Sequence, residues 1–406
     1  MSSSSSAYAS ASTAPPKLNR FTTPLLPGQF NTETYFSSQP PPPDLQARLQ
    51  PVKEFVERWR NVEGKRVVVV TKQTRKSSTI YSGTYHPTNP FLLCSVRFLD
   101  NFSAGTRGST SAEYFLSHPT TPYAVIFMHR QHSLRPFSRH YSHSLNPFLD
   151  LLTCPPPADI DEANEGDQQQ QQITVNPSKT KQLLPVLRAY HASHHSANPT
   201  ICSLEFVTVN DYLWLLKELA EVVKPLGSRA MFYLAAAVSD FFLPQDRVAE
   251  HKIQSTRGNL TLEMDQVPKV LRPLVQEWIP EAFIVSFKLE TDQALLIPKA
   301  QKALERYGHQ VVVGNDLHRR KMEVVLVELD SASSSTADDT QKESQTSSVQ
   351  GGGQGKAFKQ SWLRLAELQE EKKRQGVPRE EVEGVEIEEM IVRRLVERHD
   401  QWLVSH

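Results

Sequence analysis

Cysteine is scarce: the 406 residues contain three, Cys94, Cys154 and Cys202, far apart and with no CxxC pair. That excludes a disulfide scaffold and a structural zinc site, and it fits a reducing compartment. Neither sign of charge is in excess, with 45 Lys+Arg against 45 Asp+Glu. Proteins held mainly on phosphate backbones or anionic lipid need a surplus of cations, so neither nucleic acid nor a membrane is an expected partner. No run of about 18 apolar residues is present, so no membrane span is expected. Glycine (16) is outnumbered by proline (28), which points to long irregular segments. The start, Met1 followed by five serines, lacks a cationic stretch leading into an apolar one, so no secretory signal is expected. Lys17 and Arg20 are the only early cations, without the amphipathic arginine pattern of an organelle transit peptide. The expected location is the cytoplasm, with the nucleus as a second compartment.

Three segments read as lying outside a packed core. Residues 1–50 form a Ser/Pro-rich arm that includes four consecutive prolines before Asp44, and such a stretch buries too little to offset its ordering entropy. Residues 155–200, with five consecutive glutamines from Gln168 to Gln172, and residues 331–356, ending in a glycine-rich run, read as polar insertions. They interrupt a single α/β domain over 51–404. Within it, continuous apolar runs at 66–71, 124–128, 231–238, 283–287 and 310–314 predict strands buried on both faces, with further strands at 204–209 and 324–327. Helical periodicity covers 211–223, 291–306 and 384–404. Alternating strands and helices predict an open, mainly parallel sheet with helices on both faces. Ligands in such sheets lie beyond the carboxyl ends of the strands, so the residues after each run are the candidates for function.

Five stretches there can carry chemistry. Gly105 and Gly108, three apart before a helix, form a workable phosphate cradle, with Thr110 and Glu113 spaced as a capping box. A tight turn is the bland alternative. The run Leu234-Ala-Ala-Ala-Val-Ser-Asp240 offers small residues that admit a ligand to the backbone and a carboxylate at the sheet edge, or merely a turn aspartate. Lys252 meets a developing anion or is simply solvated. Phe287 stacks on a base or packs in the core, with Thr291 as a helix cap. Asn315 reads a base or ribose, or belongs to ordinary turn chemistry. His191, His194 and His195 have i, i+3, i+4 spacing but sit in a polar insertion, and His129, His132, His140 and His143 lack a complete ligand set, so no metal site is assigned.

The order and linkage of these segments resemble the eukaryotic phosphopantothenate–cysteine ligase family. The resemblance is carried by Val96-Arg-Phe-Leu-Asp-Asn-Phe-Ser-Ala-Gly-Thr-Arg-Gly108, Ala235-Ala-Ala-Val-Ser-Asp240, His251-Lys-Ile-Gln254, Val267-Pro-Lys-Val-Leu271, Ser286-Phe-Lys-Leu-Glu-Thr-Asp292 and Val385-Glu-Ile-Glu-Glu389. It implies a Rossmann-like fold with a small dimerisation element, and a homodimer. The implied ligase makes 4′-phosphopantothenoyl-L-cysteine from 4′-phosphopantothenate and L-cysteine through an acyl-adenylate, for coenzyme A biosynthesis. ATP is the implied cosubstrate, with Mg2+ offsetting its triphosphate charge. By resemblance, Ser103, Gly105 and Gly108 line the ATP phosphates, Gly83 belongs to the same nucleotide site, Phe287 contacts the base and Asn315 the nucleotide. Asn101, Ala236, Ala237 and Asp240 hold phosphopantothenate, with Asn101 beside the reacting carboxylate. Arg97 reaches the phosphate bound by the neighbouring subunit, and Lys252 stabilises the charge of the activated acid. Lys269 and Lys288 match family positions without separate roles.

One region departs from the family pattern. The family has Thr-Ser-Gly-Gly-Thr after the first strand, whereas here Thr71 is followed by Lys72-Gln-Thr-Arg-Lys-Ser-Ser-Thr-Ile-Tyr81 before Ser82-Gly83-Thr84. This departure keeps a second reading open, a catalytically impaired paralogue that serves as a scaffold among coenzyme A-forming enzymes. A third, an NAD(P)-dependent oxidoreductase, shares the sheet but lacks a complete G-x-G-x-x-G after the first strand.

Overall fold

A computed structural model describes residues 31–72, 105–141, 148–153, 173–236, 238–244, 263–330 and 357–406, together with the backbone of 78–80 and 97–99. Among them, eight strands form one sheet: β1 (Val67–Lys72), β2 (Ala124–Arg130), β3 (Ile201–Phe206), β4 (Ala230–Leu234), β5 (Phe283–Glu290), β6 (Val311–Asp316), β7 (Glu323–Leu329) and β8 (Phe358–Arg364). Their order is β3-β2-β1-β4-β5-β6-β7-β8. The first six run parallel, and β7 pairs antiparallel with both β6 and β8. The chain thus leaves β1 in one direction for β2 and β3, then in the other for β4, β5 and β6. This is the doubly wound order, and its switch point lies between β1 and β4, where the carboxyl ends open a crevice.

Valines account for the double burial. Val67 and Val69 point into one core and Val68 and Val70 into the other, as the two-residue pleat requires. The first core is closed by α2 (Leu45–Arg60) and α5 (Val209–Val223), with α1 (Thr32–Ser38) at its margin. The second is closed by α3 (Thr106–Leu116), α7 (Leu365–Arg374) and α8 (Ile387–Ser405). Helix α6 (Gln293–Tyr307) covers β6 and β7 through Leu296, Ala300 and Leu304, while α4 (Pro177–His194) borders β3.

The sequence reading departs from this architecture in several places. The arm expected to be unstructured as far as residue 50 contributes α1 and the start of α2 instead. Tyr35, Leu45 and Leu49 are buried, Tyr35 Oη donates to Asn210 Oδ1 at 3.0 Å, and Asn31 caps α1 with a reciprocal capping box. Burial of each such large apolar side chain is worth roughly 1.5–3 kcal/mol, enough to order a proline-flanked segment. Residues 1–30 lie outside the described part. The insertion at 155–200 contains α4, started by Asn176, whose side chain accepts from Ser178 N. Strand β3 runs three residues earlier than expected, because Thr208 and Asp211 form a capping box that starts α5. Strand β8 has no apolar run to mark it in the sequence.

Candidate functional site

The carboxyl edge of the sheet carries the sequence candidates on both of its faces. On the α3 face, Gly105 caps the helix from a left-handed conformation (φ 65°) and offers no side chain to the first turn. An amide-rich helix start of this kind suits an anionic group. Gly108 has a different task. A Cβ there would lie 3.0 Å from Lys72 Cβ, so its hydrogen lets α3 settle on the end of β1. Lys72, buried, donates from Nζ to the Leu134 carbonyl, and burial with the nearby Arg139 charge lowers its pKa to about 7.

Helix α3 starts at Thr106, so Thr110 and Glu113 do not form the expected capping box. Glu113 instead gathers the loop after β2. Its carboxylate accepts from Phe137 N at 2.6 Å, from Arg139 Nε at 2.8 Å and from His140 Nε2 at 3.0 Å. Arg139 in turn donates to both oxygens of Glu386 at 2.7 Å, ahead of the first turn of α8. Burial pushes the Glu113 carboxyl up, but the hydrogen bonds from His140 and Arg139 outweigh it and hold the pKa below the ordinary value.

Asn315, at the tip of β6, is buried on this same face. Its Nδ2 donates to Val313 O at 3.2 Å, and its Oδ1 accepts from Arg107 Nη2 at 3.2 Å. Arg107 also donates to the Arg320 carbonyl and forms an ion pair with Glu388 at 3.0 Å. Phe287 stands opposite Val313 in the β5–β6 register, one pleat from Asn315, and meets the Tyr233 ring edge-to-face at 4.8 Å. Tyr233 is fixed by a 2.7 Å hydrogen bond with Ser111 of α3.

The opposite face holds a cleft of about 210 Å³ lined by Leu216, Leu234, Ala236, Asp240, Val267 and Phe287, among others. Phe287 therefore lies on the crest between the two faces. Asp240 pairs with Lys269 at 3.5 Å with both side chains about half exposed, and its backbone carbonyl accepts from Val267 N. Ser286 also lines the cleft, and its hydroxyl meets His309 Nε2 at 2.7 Å. His309 is buried, which lowers its pKa to about 4 and keeps the ring neutral. Lys288 instead pairs with Glu290, which also binds Lys299.

The structure thus brings Gly105, Gly108, Ala236, Asp240, Phe287 and Asn315 to one edge. Asn101, Ser103, Gly83, Ala237 and Lys252 lie outside the described residues, and only the backbone of Arg97 is described. That backbone belongs to a strand, Arg97–Leu99, paired antiparallel with Ser78–Ile80 of the lengthened segment after β1. Helix α6 is capped by Asp292, which accepts from Ala294 N, and not by Thr291. Among the described residues no group of three His, Cys, Asp or Glu is placed to hold a metal ion. His194 of the second histidine set stacks on Tyr190 at 4.2 Å. Sequence reading gave Arg139 no part at all, gave Arg107, Glu386 and Glu388 none beyond membership of family-like segments, and read Glu113 as half of a capping box. For Glu386 and Glu388 the local signal is the acidic start of α8, which also reads as ordinary favour toward a helix dipole.

Comparison with known proteins bears on the family and the fold. A family model described as DNA/pantothenate metabolism flavoprotein C-terminal domain matches residues 202–349. A phosphopantothenate–cysteine ligase of Saccharomyces cerevisiae is 35% identical over 404 residues, spanning 94% of this chain and 90% of its own. The chain belongs to the phosphopantothenate–cysteine ligase family. The human ligase is 42% identical over 294 residues, covering 70% of this chain and 88% of its own. Two solved structures of a Cab2 histidine-to-alanine mutant share the fold at 33% sequence identity and cover 92% of this chain. Their TM-scores are 0.68 for the protein alone and 0.67 for its complex with phosphopantothenate-cysteine. Membership of this family removes the oxidoreductase reading, which the strand order by itself left open.

Proposed function

We propose that the chain, a phosphopantothenate–cysteine ligase by family, activates 4′-phosphopantothenate with ATP and passes the acyl group to L-cysteine. The observation that carries this reading is the division of one sheet edge into two halves. The α3 face offers a helix start, Phe287 and Asn315 for a nucleotide, and the cleft behind Phe287 offers Ala236 and Asp240 for the acid. A carboxylate resists amine attack because its leaving group would be oxide. When its oxygen attacks the α-phosphorus of ATP, pyrophosphate leaves and an acyl-adenylate forms. The cysteine amine then attacks the acyl carbon, the C–O bond to AMP breaks, and the amine gives up its proton. The two halves act by holding these reactants in line and by stabilising charge.

By resemblance, Asn101 lies beside the reacting carboxylate and Lys252 beside the charge that develops on it. Arg97 reaches the substrate phosphate of a second copy, which makes the homodimer part of the site. We assign Mg2+ to the triphosphate, as its counter-ion. Pyrophosphate release, measured with ATP and CTP in parallel, tests the reading. Release should require acid, cysteine and nucleotide together and be faster with ATP. Release without phosphopantothenate would refute it, and no release at all would favour the scaffold paralogue.

A further inference from the structure

We propose that Arg107 is a positioning residue for the nucleotide site, holding the Asn315 carboxamide in a single orientation, and that Glu388 of the C-terminal helix holds Arg107 in place. An asparagine amide can present either end to a ligand, and only its hydrogen bonds choose between them. Here both ends are assigned. The oxygen accepts from Arg107, and the nitrogen gives one hydrogen to Val313 O. One hydrogen and one lone pair remain, in fixed directions, at the tip of β6.

Arg107 can do this because its planar guanidinium meets three partners at once: Nη2 donates to Asn315 Oδ1 and to the Arg320 carbonyl, while Nη1 stands 3.0 Å from the Glu388 carboxylate as an ion pair. A lysine would carry the charge, but it lacks the second nitrogen, fixed in the same plane, that faces Glu388 while the first holds Asn315. Both members of the ion pair are largely buried, Arg107 at 16% and Glu388 at 12% side-chain exposure, so neither charge is well placed without the other. The arrangement joins three segments far apart in sequence: the glycine loop, the strand end that carries Asn315, and the acidic start of α8. It gives the last of these, Val385-Glu-Ile-Glu-Glu389, a part in nucleotide selection although Glu388 contacts Arg107 and not Asn315.

The inference rests on the reading of Asn315 as a nucleotide contact, and a double-mutant cycle separates the two. Arg107→Lys, Asn315→Ala and the double variant are assayed for KM of ATP, phosphopantothenate and cysteine, for kcat and for thermal midpoint. Arg107→Lys is expected to raise KM for ATP roughly tenfold, about the worth of one charge-assisted hydrogen bond, with the other two KM values within about twofold of the parent. The double variant should be no worse than Asn315→Ala alone. If Asn315→Ala raises KM for ATP but Arg107→Lys does not, or if the two effects multiply, the positioning role is overturned while Asn315 keeps its own. If Asn315→Ala leaves KM for ATP unchanged, the reading of Asn315 fails and the inference fails with it. Should Arg107→Lys not fold, Glu388→Gln replaces it, with a smaller rise in the same constant expected and an unchanged constant refuting the proposal.

Discussion

On its α3 face the carboxyl edge of the sheet is wired by buried charge, whereas the cleft on the opposite face is lined mostly by apolar side chains, with one half-exposed ion pair. In the first, Glu113, Arg139 and Glu386 form a bidentate network, and Arg107 spans Asn315 and Glu388. In the second, Leu216, Leu234 and Val267 set the shape, with Asp240 and Lys269 at the rim. The difference suits the two ligands proposed. A nucleotide is recognised by directional hydrogen bonds, which need groups that cannot turn. The pantothenate arm is a flexible chain for which a shaped wall and a charged rim suffice.

The sharpest way to break this contrast is Arg139→Ala. It would leave Glu113 and Glu386 without their shared cation, and loss of one partner from a buried network costs about 3–5 kcal/mol. A large fall in the denaturant midpoint should follow, with a fall in turnover because α3 and α8 lose one of their two polar ties. Acidification comes next. Burial lowers His129, His309 and His399 from 6.5 to about 4, so the unfolded chain binds these protons first. Their contribution to stability is complete above pH 6.5 and is lost as pH falls from 6.5 toward 4. Thermal midpoints measured across that window should drop, and His399→Gln should make the drop shallower.

Gly108→Ala should act more locally. The added methyl presses on Lys72 Cβ at 3.0 Å, and overpacking of this kind costs about 1–3 kcal/mol. Calorimetry should show the loss, and KM for ATP should rise because α3 is displaced, while KM for phosphopantothenate moves less. The smallest effect on stability belongs to the cleft. Lys269→Ala removes an exposed pair worth about 0–1 kcal/mol, so the melt should barely move. KM for phosphopantothenate should still rise severalfold, and an unchanged constant would remove Lys269 from the acid half.

The apolar runs made the sheet legible, because strands buried on both faces leave no room for polar alternation. The run at residues 66–71 is β1 shifted by one residue, and the run at 283–287 is the first part of β5. Strand β8 was hidden because it is an edge strand carrying Lys359, Gln360 and Ser361, and no continuous apolar run marks it. Helix α1 was hidden because Tyr35 and Phe36 sit among serines and prolines, and only packing against Phe242 and Trp214 shows their purpose. Glu113 was misread as a cap because its three-residue spacing from Thr110 fits that motif. Its real partners, Arg139 and His140, arrive from the other side of β2.

Composition and periodicity by themselves determined the layers of this protein: a parallel sheet, helices on both faces, and functional candidates at the ends of strands. These follow from local rules, since hydrophobic period and strand length are written residue by residue. Tertiary structure alone decided which polar groups meet. Arg107 finds Asn315 and Glu388 across more than two hundred residues of chain, and Ser286 of β5 meets His309, which stands just before β6. Charges and hydrogen bonds act over a few ångströms in space with no period along the sequence, so their pairing becomes readable only once the sheet has brought the distant segments to one edge.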